Sequence, residues 1–162
     1  MQVIFSDDAH RGIISEAFDK MDTETGGVLL GRYENDTWYI IETIEPGPKA
    51  VFQEAYFEYD REYVECKINR IAHKYQAELT LIGMWHKHLG SYNEFSSTDD
   101  ITNSEYAKMS ENGAISILVN VDPNFRITPY HVAVPFKYTR IECNIGDELV
   151  PERLLRLEDV QS

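Results

Sequence analysis

The feature that most constrains the fold is a largely apolar segment, Leu79–Trp85, that runs directly into His86-Lys87-His88. An apolar run of this length is typical of a strand in the interior of a sheet. Side chains two residues apart in a strand point to the same face, so His86 and His88 should project together. The segment therefore predicts a central strand with two imidazoles at its carboxyl end.

Around this strand, apolar spacing predicts several helices and further strands. The predicted helices are Asp7–Met21, Asp60–Ala77, Ser97–Glu111 and a short C-terminal helix over Pro151–Val160. The other predicted strands are Gln2–Phe5, Thr25–Gly31, Trp38–Ile44, Ala114–Val121, Thr128–Val134 and Tyr138–Cys143. Because strands and helices are interspersed without strict βαβ alternation, we expect an α/β or α+β sandwich with a mixed sheet. No linker-like stretch divides the chain, so residues 1–162 are predicted to form one domain.

Charge and composition exclude several classes of function. The chain has 15 Lys and Arg against 28 Asp and Glu, a net charge of −13, which makes a nucleic-acid partner a poor expectation. Its apolar runs are too short to span a bilayer, and its first residues lack a secretory signal. The two cysteines, Cys66 and Cys143, make no disulfide framework. We therefore expect a cytoplasmic protein with reduced thiols and no membrane partner.

A third metal-ligand candidate, Asp99, lies where the predicted helix after the histidines begins. Its carboxylate could complete a set with His86 and His88 and leave a fourth position for water. Three protein ligands plus water are typical of catalytic zinc, whereas structural zinc is usually closed by four protein ligands. Two distant cysteines cannot supply a cysteine-rich structural site. The pattern therefore predicts a catalytic Zn²⁺ site.

Two further residues suit the chemistry of such a site. Glu24 lies just before a predicted buried strand, where its carboxylate could move a proton between water and a leaving amine. Ser96 precedes the third helix and could donate a hydrogen bond to a developing oxyanion. Other interpretations stay open. Ser96 and Asp99 also resemble a helix cap, Glu24 could be a solvated acid, and His86 and His88 could be structural.

These residues together resemble the JAMM (JAB1/MPN/Mov34, or MPN+) metalloprotease family. Its motif is an upstream Glu, then His-x-His-Pro, six residues, Ser, two residues and Asp. The matching positions here are Glu24, His86, His88, Ser96 and Asp99. The context Glu-Thr-Gly-Gly-x-Leu-x-Gly around the glutamate also matches, and the resemblance extends over roughly residues 1–135.

The sequence departs from the family motif after the second histidine. Leu89 replaces the usual proline, which removes no ligand but puts the rigidity of the following loop in question. Asp100, a second acid, falls one place out of register with the motif. Gly47-Pro48-Lys49-Ala50 further resembles prokaryotic JAB proteins found beside ubiquitin-activating-like and conjugating-like enzymes.

The resemblance implies a definite fold, activity and set of partners. The fold would be an MPN/JAB domain, a cytidine-deaminase-like mixed sheet flanked by helices. His86, His88 and Asp99 would hold Zn²⁺, Glu24 would be base and acid, and Ser96 would stabilise the oxyanion. The activity would be that of a deubiquitinase-like isopeptidase. It would cut after the C-terminal glycine of a ubiquitin-like modifier, for deconjugation or precursor processing. The resemblance also points to a bacterial ubiquitin-like (antiphage) pathway with E1-like and E2-like enzymes.

Two alternatives belong to other classes of function. One is a non-catalytic MPN scaffold subunit, although scaffold members lose the ligands that this chain keeps. The other is a RadC-like JAB protein linked to DNA repair, which the negative charge disfavours. The remaining histidines, His10, His73 and His131, have no partner at metal-ligand spacing and are interpreted as ordinary surface or core residues.

A substrate groove is also predicted. Acidic and aromatic residues alternate in Val51–Tyr59 and recur in the loop Gly90–Phe95, and Glu45 and Asp100 lie near the motif. Ubiquitin-like modifiers present an extended, often basic tail that ends in a glycine pair. We expect the two segments to line an acidic groove for such a tail, with a solvated acidic surface as the alternative.

Overall fold

The computed structural model describes residues 1–156, which fold into ten strands, three α-helices and two short 3-10 helices. The strands are β1 (Gln2–Phe5), β2 (Thr25–Glu34), β3 (Thr37–Ile44), β4 (Val51–Gln53), β5 (Tyr56–Glu58), β6 (Thr80–Lys87), β7 (Ala114–Asn120), β8 (Arg126–Ala133), β9 (Lys137–Arg140) and β10 (Glu142–Ile145). The α-helices are α1 (Asp7–Asp19), α2 (Arg61–Ala72) and α3 (Ser97–Ala107), and the 3-10 helices are Asp147–Leu149 and Glu152–Leu154.

Eight strands form one mixed sheet in the order β10-β1-β3-β2-β6-β7-β8-β9. The pairs β1–β10, β1–β3 and β6–β7 are parallel and the others are antiparallel. β4 and β5 form a separate hairpin. The expected mixed sheet flanked by helices, consistent with an MPN/JAB domain, is confirmed, and β6 is one of its central strands.

The sheet is curved so strongly that its two edges approach each other. β9 and β10 lie at opposite edges, yet only Ile141 separates them along the chain. The Ile141 amide donates to the Pro129 carbonyl of β8 at 3.1 Å, which holds the crossing point against β8. Consecutive Cα atoms are only about 3.8 Å apart, so the two edges must nearly meet.

Helices cover both faces of the sheet. Helix α1 buries Ala9, Ile13 and Ala17 against Trp38 and Trp85 on one face. Helix α2 buries Val64 and Ile71 in a second apolar cluster on the other face, together with residues of β2 and β3. Helix α3 lies against β6, β7 and β8. Because side chains alternate along β6, the side chains of Trp85 and Lys87 lie on the α1 face and those of His86 and His88 on the α3 face.

Each long helix begins at a polar cap that the sequence supplies. The Ser6 and Ser96 hydroxyls accept the amide protons of Ala9 and Asp99, and Asp60 does the same for Tyr63. Such caps satisfy amide groups that the first helical turn leaves unpaired. No helix among residues 1–156 is long and apolar enough to cross a membrane.

Four predictions about elements need correction. The segment Tyr138–Cys143 is two strands at opposite sheet edges, because the chain crosses between the edges at Ile141. The predicted helix over Pro151–Val160 is only the 3-10 helix Glu152–Leu154 in its described part, and residues 157–160 lie outside the described residues. The second helix ends at Ala72 and the third at Ala107, short of their predicted ends at Ala77 and Glu111.

Candidate metal centre

The two motif histidines stand side by side at the carboxyl end of β6. Their ring centroids are 4.7 Å apart and the rings are nearly perpendicular. Both residues are buried, with 7% of His86 and 3% of His88 exposed. This is the arrangement that the two-residue spacing in a buried strand predicts.

Asp99 reaches both histidines from the first turn of α3. Its Oδ1 lies 2.9 Å from His86 Nδ1 and its Oδ2 lies 3.0 Å from His88 Nε2. The carboxylate also accepts the Ser96 backbone amide proton at 2.8 Å, as half of a capping box. The helix cap and the imidazole contacts are therefore made by the same carboxylate, so the two interpretations of Asp99 hold together.

Glu24 lies on the other side of His86. Its Oε1 is 2.5 Å from His86 Nε2. The position follows from the pairing of β2 with β6, in which Gly26 is opposite His86 and Thr25 is opposite Lys87. The Glu24 amide donates to the Gln53 carbonyl at 2.8 Å, so the β4–β5 hairpin holds the glutamate backbone. Glu24 is thus a partly buried residue of the cluster and not a solvated acid.

Gly26, which follows Glu24 and Thr25, lets the Trp85 carbonyl and the Phe57 ring lie close to the β2 backbone. A Cβ at Gly26 would lie 2.3 Å from the Trp85 carbonyl oxygen and 2.5 Å from the Phe57 ring. Phe57 packs edge-on against His86 with 5.2 Å between centroids. A side chain at Gly26 would therefore displace either β6 or the aromatic ring that covers the ligand strand.

The cluster stabilises positive charge at its centre. Burial alone would lower the pKa of His86, but hydrogen bonds to Asp99 and Glu24 outweigh burial and raise the pKa to about 9. Burial opposes the ionised form of Asp99 too, yet contacts with His86 and His88 hold its pKa well below its usual range. Two carboxylates around a buried imidazole pair provide the electrostatic environment that a bound cation requires.

The donor set fits a divalent metal ion. Glu24, His86 and His88 each offer one ligand atom, and these atoms lie within 4.8 Å of one another. Imidazole nitrogen and carboxylate oxygen are the ligands that zinc and related first-row ions take. His88 Nδ1 is buried and has no hydrogen-bond partner in the described part of the chain. When a histidine binds a metal through Nε2, its proton resides on Nδ1. A buried Nδ1 of a ligand histidine is therefore expected to donate to an acceptor.

Ser96 has a mixed assignment. It is exposed, and its Oγ accepts the Asp99 amide proton at 3.1 Å as the cap of α3. Accepting that proton leaves the hydroxyl hydrogen free to donate. The capping interpretation of Ser96 is confirmed, and its catalytic role stays a prediction.

Of the other residues predicted to lie near the site, one contacts a motif histidine and two do not. Tyr92 packs against His88 with ring centroids 5.6 Å apart. Phe95 instead stacks on Tyr138 at 4.8 Å and belongs to a separate aromatic cluster. Asp100 accepts a hydrogen bond from the Tyr138 hydroxyl at 2.6 Å, so it anchors α3 and does not face the histidines.

The remaining histidines and the cysteines lie apart from the cluster. His10 packs against Phe5 and Phe125, and His131 hydrogen-bonds the Asn112 carbonyl at 2.7 Å. His73 ends α2. Cys66 and Cys143 are free.

Sequence reasoning missed two buried polar residues that support the site. Lys87, between the two histidines, is fully buried on the α1 face, and its Nζ donates to the Lys20 carbonyl at the end of α1. Asn120, also fully buried, donates from Nδ2 to the carbonyls of Tyr92 and Gly90 at 2.9 and 3.4 Å. The only sequence signal for either is a polar residue in an apolar strand, which does not reveal its partner.

Comparison with known proteins agrees with this fold. The mixed α/β architecture and the Glu/His/His cluster define a JAB-type domain with a candidate metal site. The sequence matches the family of prokaryotic homologues of the JAB domain (Prok-JAB) over residues 6–131, and the chain belongs to that family.

One similar solved structure is the solution structure of protein DSY2949 from Desulfitobacterium hafniense. It superposes with a TM-score of 0.65 at 12% sequence identity, over 88% of this chain and 92% of the other. That similarity supports the fold alone. A comparison with curated protein sequences found no match.

Proposed function

We propose that this chain is a zinc-dependent metalloprotease of the isopeptidase type. It would hydrolyse the peptide or isopeptide bond after the C-terminal glycine of a ubiquitin-like modifier. The observation that carries the proposal is the cluster in which Glu24 and Asp99 flank the paired imidazoles of His86 and His88 in a JAB-family domain. If the two histidines and Asp99 hold the ion, the Glu24 carboxylate remains for proton transfer, which a catalytic site needs and a structural site closed by four protein ligands does not.

The proposed mechanism assigns one task to each side chain. His86, His88 and Asp99 would hold the ion, which supplies a Lewis acid and lowers the pKa of water at the site. The Glu24 carboxylate accepts the proton of the attacking water and returns it to the leaving nitrogen. The Ser96 hydroxyl donates to the oxygen of the tetrahedral intermediate as negative charge develops there.

Glu24 is placed well for proton transfer because it is held but not enclosed. Its backbone is fixed by the Gln53 carbonyl. Its carboxylate contacts Nε2 of His86, whereas Asp99 contacts Nδ1 on the other side of the ring. Asp99 is held more firmly, by the helix cap and both histidines. The more constrained carboxylate suits a ligand, and the less constrained one suits a base that must exchange a proton.

The two segments predicted to bind the substrate tail flank the candidate site. The hairpin contributes Phe57 against His86, and the loop after β6 contributes Tyr92 against His88. Glu54 and Glu94 are exposed on these segments, and Glu58 is exposed while accepting a hydrogen bond from Tyr56. We propose that these acids attract a basic modifier tail into a groove between the hairpin and the loop.

Two acids that the sequence analysis placed near the groove have other partners in the structure. Glu45 hydrogen-bonds Tyr63 and lies 3.4 Å from Lys67 Nζ, so its charge is already compensated. Asp100 is committed to Tyr138. A tail that passes between Phe57 and Tyr92 to the imidazoles would suit a glycine pair, because glycine has no Cβ to obstruct a close approach.

The test is cleavage of a ubiquitin-like modifier fused through its terminal glycine pair to a reporter. The purified chain loaded with zinc should release the reporter, and Glu24→Gln should not. Asp22→Asn, which neutralises an exposed acid two residues away, serves as the matched control and should cleave normally. A chain that binds zinc but cleaves no such fusion would contradict the proposal.

A further inference from the structure

Two unpartnered buried atoms are found on adjacent strands beside the candidate metal centre. His88 Nδ1 and Asn120 Oδ1 are two of the four buried side-chain polar atoms that lack a hydrogen-bond partner within residues 1–156. One is a potential donor and the other is an acceptor. Buried polar groups are nearly always paired, so two complementary unpaired atoms need an explanation.

Strand register places these two residues side by side. In the parallel pair β6–β7, His86 is opposite Leu118 and Lys87 is opposite Val119. The His88 amide donates to the Val119 carbonyl at 3.2 Å, which continues the ladder by one residue. Neighbours in register project to the same face of a sheet, so the Asn120 side chain emerges beside that of His88.

The orientation of the Asn120 amide is fixed by its other bonds. Its Nδ2 has two carbonyl acceptors, those of Tyr92 and Gly90, in the loop that follows His88. Carbonyls can be satisfied only by the NH₂ end of the amide, so Oδ1 must point away from the loop. Asn120 is fully buried, so Oδ1 lies away from bulk solvent.

We propose that Asn120 is a positioning residue for the metal ligand His88. In this structure His88 Nε2 contacts the Asp99 carboxylate, and neither Nδ1 nor the Asn120 Oδ1 beside it has a partner among the residues that the structure describes. With an ion on Nε2 the proton would reside on Nδ1, and Oδ1 would accept it. The same amide holds the loop that carries Tyr92, so one side chain sets both the ligand ring and the substrate loop. The inference rests on the metal site proposed above, and it adds an outer partner to that site.

Three variants separate this role from simple loss of a buried hydrogen bond. Asn120→Leu removes the acceptor and both donors, while Asn120→Asp keeps an acceptor and loses the donors. Ser116→Ala is the matched control. It lies on the same strand and breaks a buried 2.7 Å hydrogen bond to Asn103 without touching the histidines. Zinc affinity of the full chain is measured by competition with a chelating dye.

Asn120→Leu should bind zinc about 10- to 100-fold more weakly, which is the usual effect of removing the partner of a ligand histidine. Asn120→Asp and Ser116→Ala should stay close to the wild-type affinity. Equal affinity for Asn120→Leu and Ser116→Ala would overturn the inference. An equal loss in Asn120→Leu and Asn120→Asp would also overturn it, because the effect would then come through the loop.

A spectroscopic readout tests the contact even if Asn120→Leu fails to fold. In the zinc-loaded chain the His88 Nδ1 proton should resonate further downfield in Asn120→Asp than in wild type, because a carboxylate is a stronger acceptor than an amide oxygen. An Nδ1 proton that does not respond to this change would overturn the inference while leaving the metal site intact. A wild-type chain that binds no zinc would overturn both this inference and the proposed function.

Discussion

His86 is the side chain whose surroundings say most about the chemistry, because each of its ring nitrogens faces a carboxylate. Nδ1 faces Asp99 and Nε2 faces Glu24. The two acids differ in how they are held. Asp99 is fixed by a helix cap, whereas Glu24 is fixed through its backbone. This asymmetry is consistent with the proposal that Asp99 binds the ion and Glu24 transfers the proton.

The first prediction separates these two tasks at Glu24. Glu24→Gln keeps the shape of the side chain but cannot carry a proton. The variant should retain zinc and lose turnover by at least ~10²-fold, the usual contribution of general acid–base catalysis. Steady-state kinetics on the modifier–reporter fusion provide the measurement, with Asp22→Asn as control. Substantial turnover by Glu24→Gln would place the catalytic carboxylate elsewhere.

The second prediction concerns the two roles of Ser96. Ser96→Ala removes the cap of α3, which should cost about 1 kcal/mol of the free energy of unfolding. It should also lower kcat by about 10²-fold if the hydroxyl stabilises the oxyanion. Ser6→Ala is the control, since Ser6 caps α1 through the same type of bond to Ala9. Denaturant unfolding and kcat together test the point, and a kcat equal in both variants would leave Ser96 as a cap alone.

Much of the candidate site follows from short-range patterns. The alternation of a buried strand predicts that His86 and His88 share a face, and the spacing of Ser96 and Asp99 predicts a capped helix. Their approach to Glu24 depends on β2 pairing with β6, which residue spacing alone does not specify. The family resemblance provided that link.

The supporting residues could not be predicted in the same way. Lys87 resembles a surface residue at a strand end, and only the position of the α1 terminus explains its burial. Asn120 could likewise be any polar strand end until the loop carbonyls are seen to reach it. The division of Tyr138–Cys143 between two sheet edges has no local signal either, because both halves have ordinary strand composition.

The third prediction tests how α1 supports the catalytic segment. Lys87 donates to the Lys20 carbonyl, and the short stretch from Lys20 to Glu24 connects α1 to β2. Lys87→Met should leave zinc binding intact but loosen this stretch and lower kcat at least ~10-fold, since small displacements of a catalytic group are costly. Lys74→Met, at an exposed position, is the control. An unchanged kcat in a folded Lys87→Met protein would contradict this role.

The proposed basic substrate makes a prediction about the distribution of charge over the molecule. A net charge of −13 favours cationic partners generally. If a groove binds the tail, acids in the groove should affect substrate binding more than acids elsewhere on the surface. Glu94 lies in the loop beside the site. Glu111 lies beyond the opposite end of α3, which is 11 residues or about 16 Å long. Both are exposed, so reversing each changes the net charge equally.

The fourth prediction compares these positions. Glu94→Lys, and separately the double change Glu54→Lys with Glu58→Lys, should lower kcat/KM on a basic-tailed fusion and leave zinc content unchanged. Glu111→Lys should have a much smaller effect. The difference should shrink as salt shortens the Debye length below about 10 Å. Equal effects at Glu94 and Glu111, or indifference to tail charge, would indicate a solvated acidic surface with no groove.

The central claim, that these residues bind one metal ion, is tested most directly by the zinc content of the purified chain. Elemental analysis should find about one zinc per wild-type chain and far less in His86→Ala, His88→Ala and Asp99→Ala. His73→Ala, at an exposed histidine outside the cluster, should keep the wild-type amount. All four variants should remain folded, because the two apolar clusters do not depend on the ion. Wild-type zinc content in the three cluster variants would contradict the claim.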